Sequence, residues 1–231
     1  MRVSSISVKH IIWFACLIIL FICALGQIVS AQDSAPHAAT ISISGLIDKP
    51  EARILAKSIK SAHENGATLI ILLINTPGGD LESTRQMVGS IYDSSLPVVT
   101  FVWPSGSQAA SAGTFLLAAG NVAAMAPSTN VGAAAPVSMT GEDLPETIAN
   151  KATQDAASFL RSIALNRDRN VQAYEETVTK AKAYSENEAL EAGLINVISD
   201  DSQQLLIEID GYVINDGRTA IELNTADLVI K

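Results

Sequence analysis

Hydrophobic positions recur along this chain in two alternating rhythms, and their succession predicts strands and helices in turn. Ala39 to Leu46 (ATISISGL) alternates apolar and polar residues, as a strand with one buried face does. Asp48 and Pro50 then open a helical pattern with Ile54, Leu55, Ile59 and Ala62 on one side, and Gly66 closes it. Ala67 to Asn75 (ATLIILLIN) is an almost continuous apolar run, the pattern of a central parallel strand covered on both faces. Leu81, Thr84, Val88 and Ile91 mark a second helix, and Pro97 to Val102 the next strand. Ala109 to Ala119 reads as a helix of small residues, and Val122 to Ala126 as a further strand. This rhythm predicts an α/β fold built on a parallel sheet with right-handed crossovers.

Pro127 to Asp143 is rich in Gly, Ala, Ser and Pro and reads as a mobile loop. A long helix follows, with Ile148, Ala152, Phe159 and Ile163 on one face, and then two shorter helices, the second from Glu186 to Gly193. Ile195 to Ile198 returns to the sheet. Tyr212-Val213-Ile214, the turn Asn215-Asp216-Gly217 and Ala220 to Leu223 form a β-hairpin pattern. Residues 1–31 stand apart as a signal peptide or N-terminal anchor, leaving 32–231 as the folded domain. Arg2 and Lys9 precede an unbroken apolar stretch from Ile11 to Leu25, and Val29-Ser30-Ala31 resembles a cleavage site. The stretch is short of the ~20 apolar residues that a bilayer span needs, so export is the expectation.

Composition narrows the chemistry. With 48% hydrophobic and 17% charged residues the chain can build a core, which excludes a disordered polymer. Its net charge is −9, and no acidic residue precedes Asp33, so the folded part is more acidic still. Such a surface repels phosphate backbones, and no nucleic acid is expected as a partner. Both cysteines, Cys16 and Cys23, lie in the N-terminal apolar run, which removes disulfides, cysteine zinc sites and thiol nucleophiles from the rest. The histidines are only His10, His37 and His63.

Two strand ends carry unusual residues, at the place where ligands bind in open α/β folds. Asn75-Thr76-Pro77-Gly78-Gly79-Asp80 reads as a turn between a buried strand and a helix. Its paired glycines permit close backbone approach, and their N–H groups at a helix start suit an anion or oxyanion. Ser105 to Thr114 (SGSQAASAGT) places Ser111 among Ala110, Ala112 and Gly113, leaving room for a carbonyl at the hydroxyl. Each motif alone is equally an ordinary turn or a tightly packed helix.

In combination they resemble the ClpP class of serine peptidases. PSGSQAASAGTFLLAAG followed by AMAPSTNVGAAAPV is similar to its membrane-associated NfeD branch, and Ser185 to Ile195 to the "EAL..GLI" segment near the end of that core. The resemblance implies a ClpP/crotonase-like fold of repeated ββα units and a peptidase needing no cofactor. It implies Ser111 as nucleophile and Gly79 and Ala112 as oxyanion-hole donors. A β-branched residue at Gly79 is therefore expected to crowd the carbonyl's approach.

No histidine follows Ser111, so a Ser-His-Asp triad in the usual class order cannot be assembled. A neutral lysine can serve instead. Lys180 and Lys182 lie in a polar stretch and Lys231 ends the chain, whereas Lys151 sits among Ile148, Ala149, Ala152 and Ala156, which could shield it. The NfeD-like pattern, a Ser-Lys dyad with the lysine at the start of the helix after the loop, points to the same residue.

The expected activity is a serine endopeptidase cutting apolar peptide segments, with a stomatin-like membrane protein as the partner the resemblance suggests. A homo-oligomer, a dimer, and an extracytoplasmic, membrane-associated location complete the expectation. Two other readings remain open: an acyl-CoA-handling enzyme on the same fold, and a non-catalytic scaffold for a membrane partner.

Overall fold

The computed structural model describes residues 36–137, 145–215 and 219–231, and within them the alternation becomes a mostly parallel sheet with helices on its faces. β1 (His37–Ile47), α1 (Lys49–Glu64), β2 (Leu69–Gly79), α2 (Leu81–Tyr92) and β3 (Val98–Val102) come first. Then follow β4 (Gln108–Ala110), α3 (Ala112–Ala119), β5 (Val122–Met125) and β6 (Asn130–Gly132). The C-terminal half holds α4 (Glu146–Asn166), α5 (Val171–Thr179), β7 (Ala183–Ser185), α6 (Glu186–Glu191), β8 (Val197–Ile198) and α7 (Ser202–Glu208). β9 (Val213–Asn215), β10 (Ala220–Glu222) and β11 (Val229–Ile230) close it.

β2 is the strand on which the sheet is built. Its first half runs between β1, from Ala38↔Leu69, and β3, from Ile70↔Val98 to Ile74↔Val102. β5 extends this layer beyond β3, and β8 beyond β5, all parallel. Past Asn75 the strand leaves β3 and pairs with β4 at Thr76↔Ala109, and β6 and the antiparallel β7 follow. One strand thus feeds two directions of sheet, and the departure point is the Thr76-Pro77-Gly78-Gly79 segment.

The apolar run of β2 has the cause that its pattern predicts. Ile70, Leu72 and Ile74 enter a core shared with Leu55, Met87, Leu116 and Leu160, while Leu69 and Ile71 enter a second core under Leu205, Leu206, Ile209 and Leu223. Both faces are covered, so neither can carry polar residues. Helix starts follow side-chain capping. Asp48 accepts from the Glu51 N–H at 3.0 Å, and Asp80 accepts from the Ser83 N–H at 2.7 Å.

Several expectations need correction. The Gly78-Gly79 pair is not a free turn but the end of β2, because β1 continues to pair with it. Gln108–Ala110 is strand rather than helix, and Asn130–Gly132 forms β6 inside the expected loop, both drawn out by the second direction of sheet. Ile54 and Ile148, each 53% exposed, face solvent instead of the core. α7 and β11 were not expected at all; their apolar side chains cover the second core. The hairpin is present as β9 and β10, with its turn outside the described residues. Residues 1–31 and 138–143 of the expected signal segment and loop also lie outside them.

Asp80 links this fold to pH. Burial works to raise its carboxyl, but the Ser83 N–H and the charge of Lys49 outweigh that and hold it below its ordinary value. A carboxyl held low contributes stability above its unfolded value, ~3.9, and loses that contribution as pH falls below it. Asp80→Ala is therefore expected to cost about 1 kcal/mol at pH 7 through loss of the cap. Thermal melts should show the gap to the wild type shrinking at pH 3; an equal gap at both pH values would remove the charge from the explanation.

Candidate active site

The two glycine- and serine-bearing segments meet because β2 is bulged. Ser44 pairs with Asn75, but Leu46 pairs with Gly78, so β2 fits an extra residue at Thr76-Pro77. Thr76 is fully buried there. Its hydroxyl donates to the Gly45 carbonyl at 2.6 Å and accepts the Gly78 N–H at 3.0 Å. Its methyl group abuts α3, since a Cβ on Gly113 would lie 2.7 Å from it. Gly78, at φ +117, then presses against the serine: a Cβ there would stand 2.5 Å from Ser111 Cβ and 3.0 Å from its Oγ. Only glycine allows this contact.

Ser111 occupies the junction of β4 and α3 with φ +48 and ψ −115. A non-glycine residue held in such a region costs of order 1–3 kcal/mol, and the neighbours hold it. Its N–H donates to the Ala133 carbonyl at 3.1 Å, and its own carbonyl accepts from Thr114 at 3.0 Å. Its hydroxyl caps nothing and has no hydrogen-bond partner among the described residues. The next N–H, that of Ala112, opens α3 and has no carbonyl a turn behind it. Gly79 lies opposite Ile47, whose carbonyl accepts from the Asp80 N–H at 3.0 Å.

The expected reason for a glycine at 79 is corrected by this packing. A Cβ at Gly79 would strike the backbone carbonyl of Ile47, so bulk there breaks the pairing with β1. Gly78 is the residue whose bare face receives the serine. Sequence reasoning named Gly78 only as one of the glycine pair, and passed over Thr76, because a lone threonine before a glycine pair carries no distinguishing pattern.

α3 is anchored at its far end by two arginines that the sequence reading also missed. All eight of its residues are buried. Its terminal carbonyls accept from guanidinium groups: Ala118 and Gly120 from Arg169 at 2.8 and 3.0 Å, and Ala119 from Arg167 at 2.7 Å. Arg169, 7% exposed, pairs with no carboxylate among the described residues, and burial lowers the pKa of its guanidinium. The helix C-terminus supplies the partial negative charge that offsets it.

α4 is pinned in its middle. Phe159 stacks on Phe115 of α3 with centroids 5.6 Å apart, and Arg85 lies over Phe159 and bonds Asp155 at 2.8 Å. The buried face of α4 begins at Ala156. Lys151, a turn before Asp155, is exposed and makes no hydrogen bond or ion pair among the described residues. The expected shielding by Ile148 is therefore absent in the isolated chain. His37 starts β1, and His63, near the end of α1, contacts Ser95 at 3.2 Å just before β3. Both sit at the amino ends of parallel strands, opposite to Ser111.

Thr76 offers a direct test of this assembly. Thr76→Val keeps the volume but leaves the Gly45 carbonyl and Gly78 N–H unpaired, which is expected to cost about 2 kcal/mol. Thr76→Ser keeps the hydroxyl and should cost less. Urea unfolding of the pair decides, since a greater loss in Thr76→Ser than in Thr76→Val would mean that the methyl group, not the hydroxyl, locks the bulge.

Comparison with known proteins agrees with this geometry. The family model described as NfeD1b, N-terminal domain, matches residues 38–216. The membrane-bound protease PH1510 of Pyrococcus horikoshii is 34% identical over 156 residues, covering 66% of this chain and 35% of that protein. Membrane protein NfeD1b of Bacillus subtilis is 32% identical over 123 residues, covering 53% and 28%. The chain thus spans about a third of the length of these relatives. Among solved structures, a lysine-to-alanine variant of 1510-N, described as a membrane-bound stomatin-specific protease in complex with a substrate peptide, superposes with a TM-score of 0.79 at 29% identity. It covers 86% of this chain and 92% of that one. A serine-to-alanine variant of the same protease gives 0.78 at 28% identity, covering 85% and 96%. The ClpP-like α/β fold expected from the motifs is the fold observed, and the chain belongs to the family of NfeD1b N-terminal domains.

Proposed function

We propose that this chain is a serine endopeptidase working through a Ser111–Lys151 dyad on apolar peptide segments. The observation that carries the reading is the state of Ser111: a strained backbone, an unused hydroxyl and a helix-starting N–H beside it, all against a bare glycine. Strain of this kind persists where the surroundings over-determine it, and function is the usual reason. The solved relatives add support. They are variants in which one serine and one lysine are exchanged for alanine, separated by almost the same number of residues as Ser111 and Lys151.

In this mechanism Ser111 Oγ attacks the scissile carbonyl carbon and passes its proton to Lys151 Nζ. The oxyanion is held by the N–H groups of Ala112 and Gly79. The amide C–N bond then breaks, and the leaving amine takes the proton from Lys151. Lys151 then takes a proton from water, whose oxygen attacks the acyl carbonyl; the bond to Ser111 Oγ breaks and Lys151 returns the proton to Oγ. An amine takes a proton only when neutral, and cover from water favours that form. A substrate laid over the exposed head of α4 would provide it, so low basal activity is expected. The uncharged Ala133 to Val137 segment, tied to Ser111 through the Ala133 carbonyl, suits an apolar chain. A stomatin-like membrane protein is the substrate we propose, because 1510-N is described as specific for one. Export of residues 32–231 behind residues 1–31, action at a membrane and assembly as a homodimer belong to the same reading.

A fluorophosphonate should form its adduct on Ser111 and none on Ser111→Ala. Lys151→Arg should lose activity at least a hundredfold, because guanidinium does not release its proton in the working range. His63→Ala should keep both its rate and its pH profile. Retained activity in Lys151→Arg, or an adduct on another residue, would overturn the dyad.

A further inference from the structure

β1 ends beside the nucleophile, and its last residues diverge in exposure. Leu46 is 71% exposed, whereas Ile47 is 1% exposed. The bulge decides this, since it sets Leu46 opposite Gly78 and Ile47 opposite Gly79. Paired residues on adjacent strands direct side chains to the same face, ~4.8 Å apart. Gly78 has no side chain, and Ser111 Cβ stands 2.5 Å from the place where its Cβ would be. Leu46 is therefore an exposed apolar side chain one strand from the residue that touches the serine. Its position is held by the Thr76 hydroxyl that binds the preceding Gly45 carbonyl and also accepts the Gly78 N–H.

A single exposed leucine ordinarily needs no explanation. This one is presented by a buried lock that also shapes the nucleophile's contact. A peptide whose scissile carbonyl reaches Ser111 Oγ lies close to Gly78, because the two residues touch. A side chain of that peptide directed toward β1 then falls on Leu46. We infer that Leu46 is a specificity-determining residue, the wall of an apolar subsite for the substrate side chain next to the scissile bond. This deepens the endopeptidase reading and rests on it.

The test uses the full chain and peptides that differ only in one residue, leucine or aspartate, at each position flanking the cleaved bond. The ratio of kcat/KM for leucine over aspartate should fall at least tenfold in Leu46→Lys at one flanking position only. Ile207→Lys, an exposed site on α7, should keep the wild-type ratio. Fluorophosphonate labelling of Ser111 shows that the variant is folded; if Leu46→Lys does not label, Leu46→Ala takes its place, with a fall of severalfold expected. An unchanged ratio in a labelled variant, or a changed oligomeric state with an unchanged ratio, would overturn the inference alone. A wild type without Ser111-dependent cleavage would overturn the endopeptidase reading, and this inference with it.

Discussion

Ser111 and Gly78 stand so close that no side chain fits at position 78, and much of the molecule's arrangement serves that approach. Bringing a strand end against a helix start requires the strand to leave its regular path. The bulge at Thr76-Pro77 does this, and a single buried hydroxyl bonds the backbone on both sides of it. The same departure lets β2 abandon β3 for β4, so the second direction of the sheet and the serine's position have one origin. The strain at Ser111 is tolerable because its own N–H and carbonyl are both bonded, which leaves only the hydroxyl uncommitted.

The support behind this contact is rigid on one side and open on the other. α3 is buried along its whole length, and Arg167 and Arg169 bind its last carbonyls, so the serine's helix has no freedom to slide. α4 is held from Asp155 onward by Arg85 and the Phe115–Phe159 stack, while the turns before it, with Lys151 and Ile148, have exposed side chains. In the proposed dyad, a nucleophile on a fixed helix and a base on an exposed helix start suit an enzyme whose site is completed by what it binds. The proposed oxyanion donors belong to the rigid half, where pre-organisation is most valuable.

The hydrophobic pattern determined the succession of elements, because a strand buried on both faces and a helix with one apolar stripe leave signatures in neighbouring residues. It also narrowed the candidate chemistry by subtraction, since a chain without cysteine or histidine after Ser111 has few bases left. The motifs singled out Ser111 and the glycine pair, and in the structure Gly78 of that pair lies against Ser111. What the pattern did not contain was contact between residues far apart in the chain. Gly78 rather than Gly79 faces the serine because the register with β1 slips by one at a bulge, and a slip of one residue exchanges the two faces of a strand. Arg169 is buried because α3 ends where the segment after α4 passes, and Ile54 and Lys151 are exposed because no element among the described residues lies over them. Local periodicity is written in local sequence; the partner across a sheet, and the water left uncovered, are decided when the chain closes on itself.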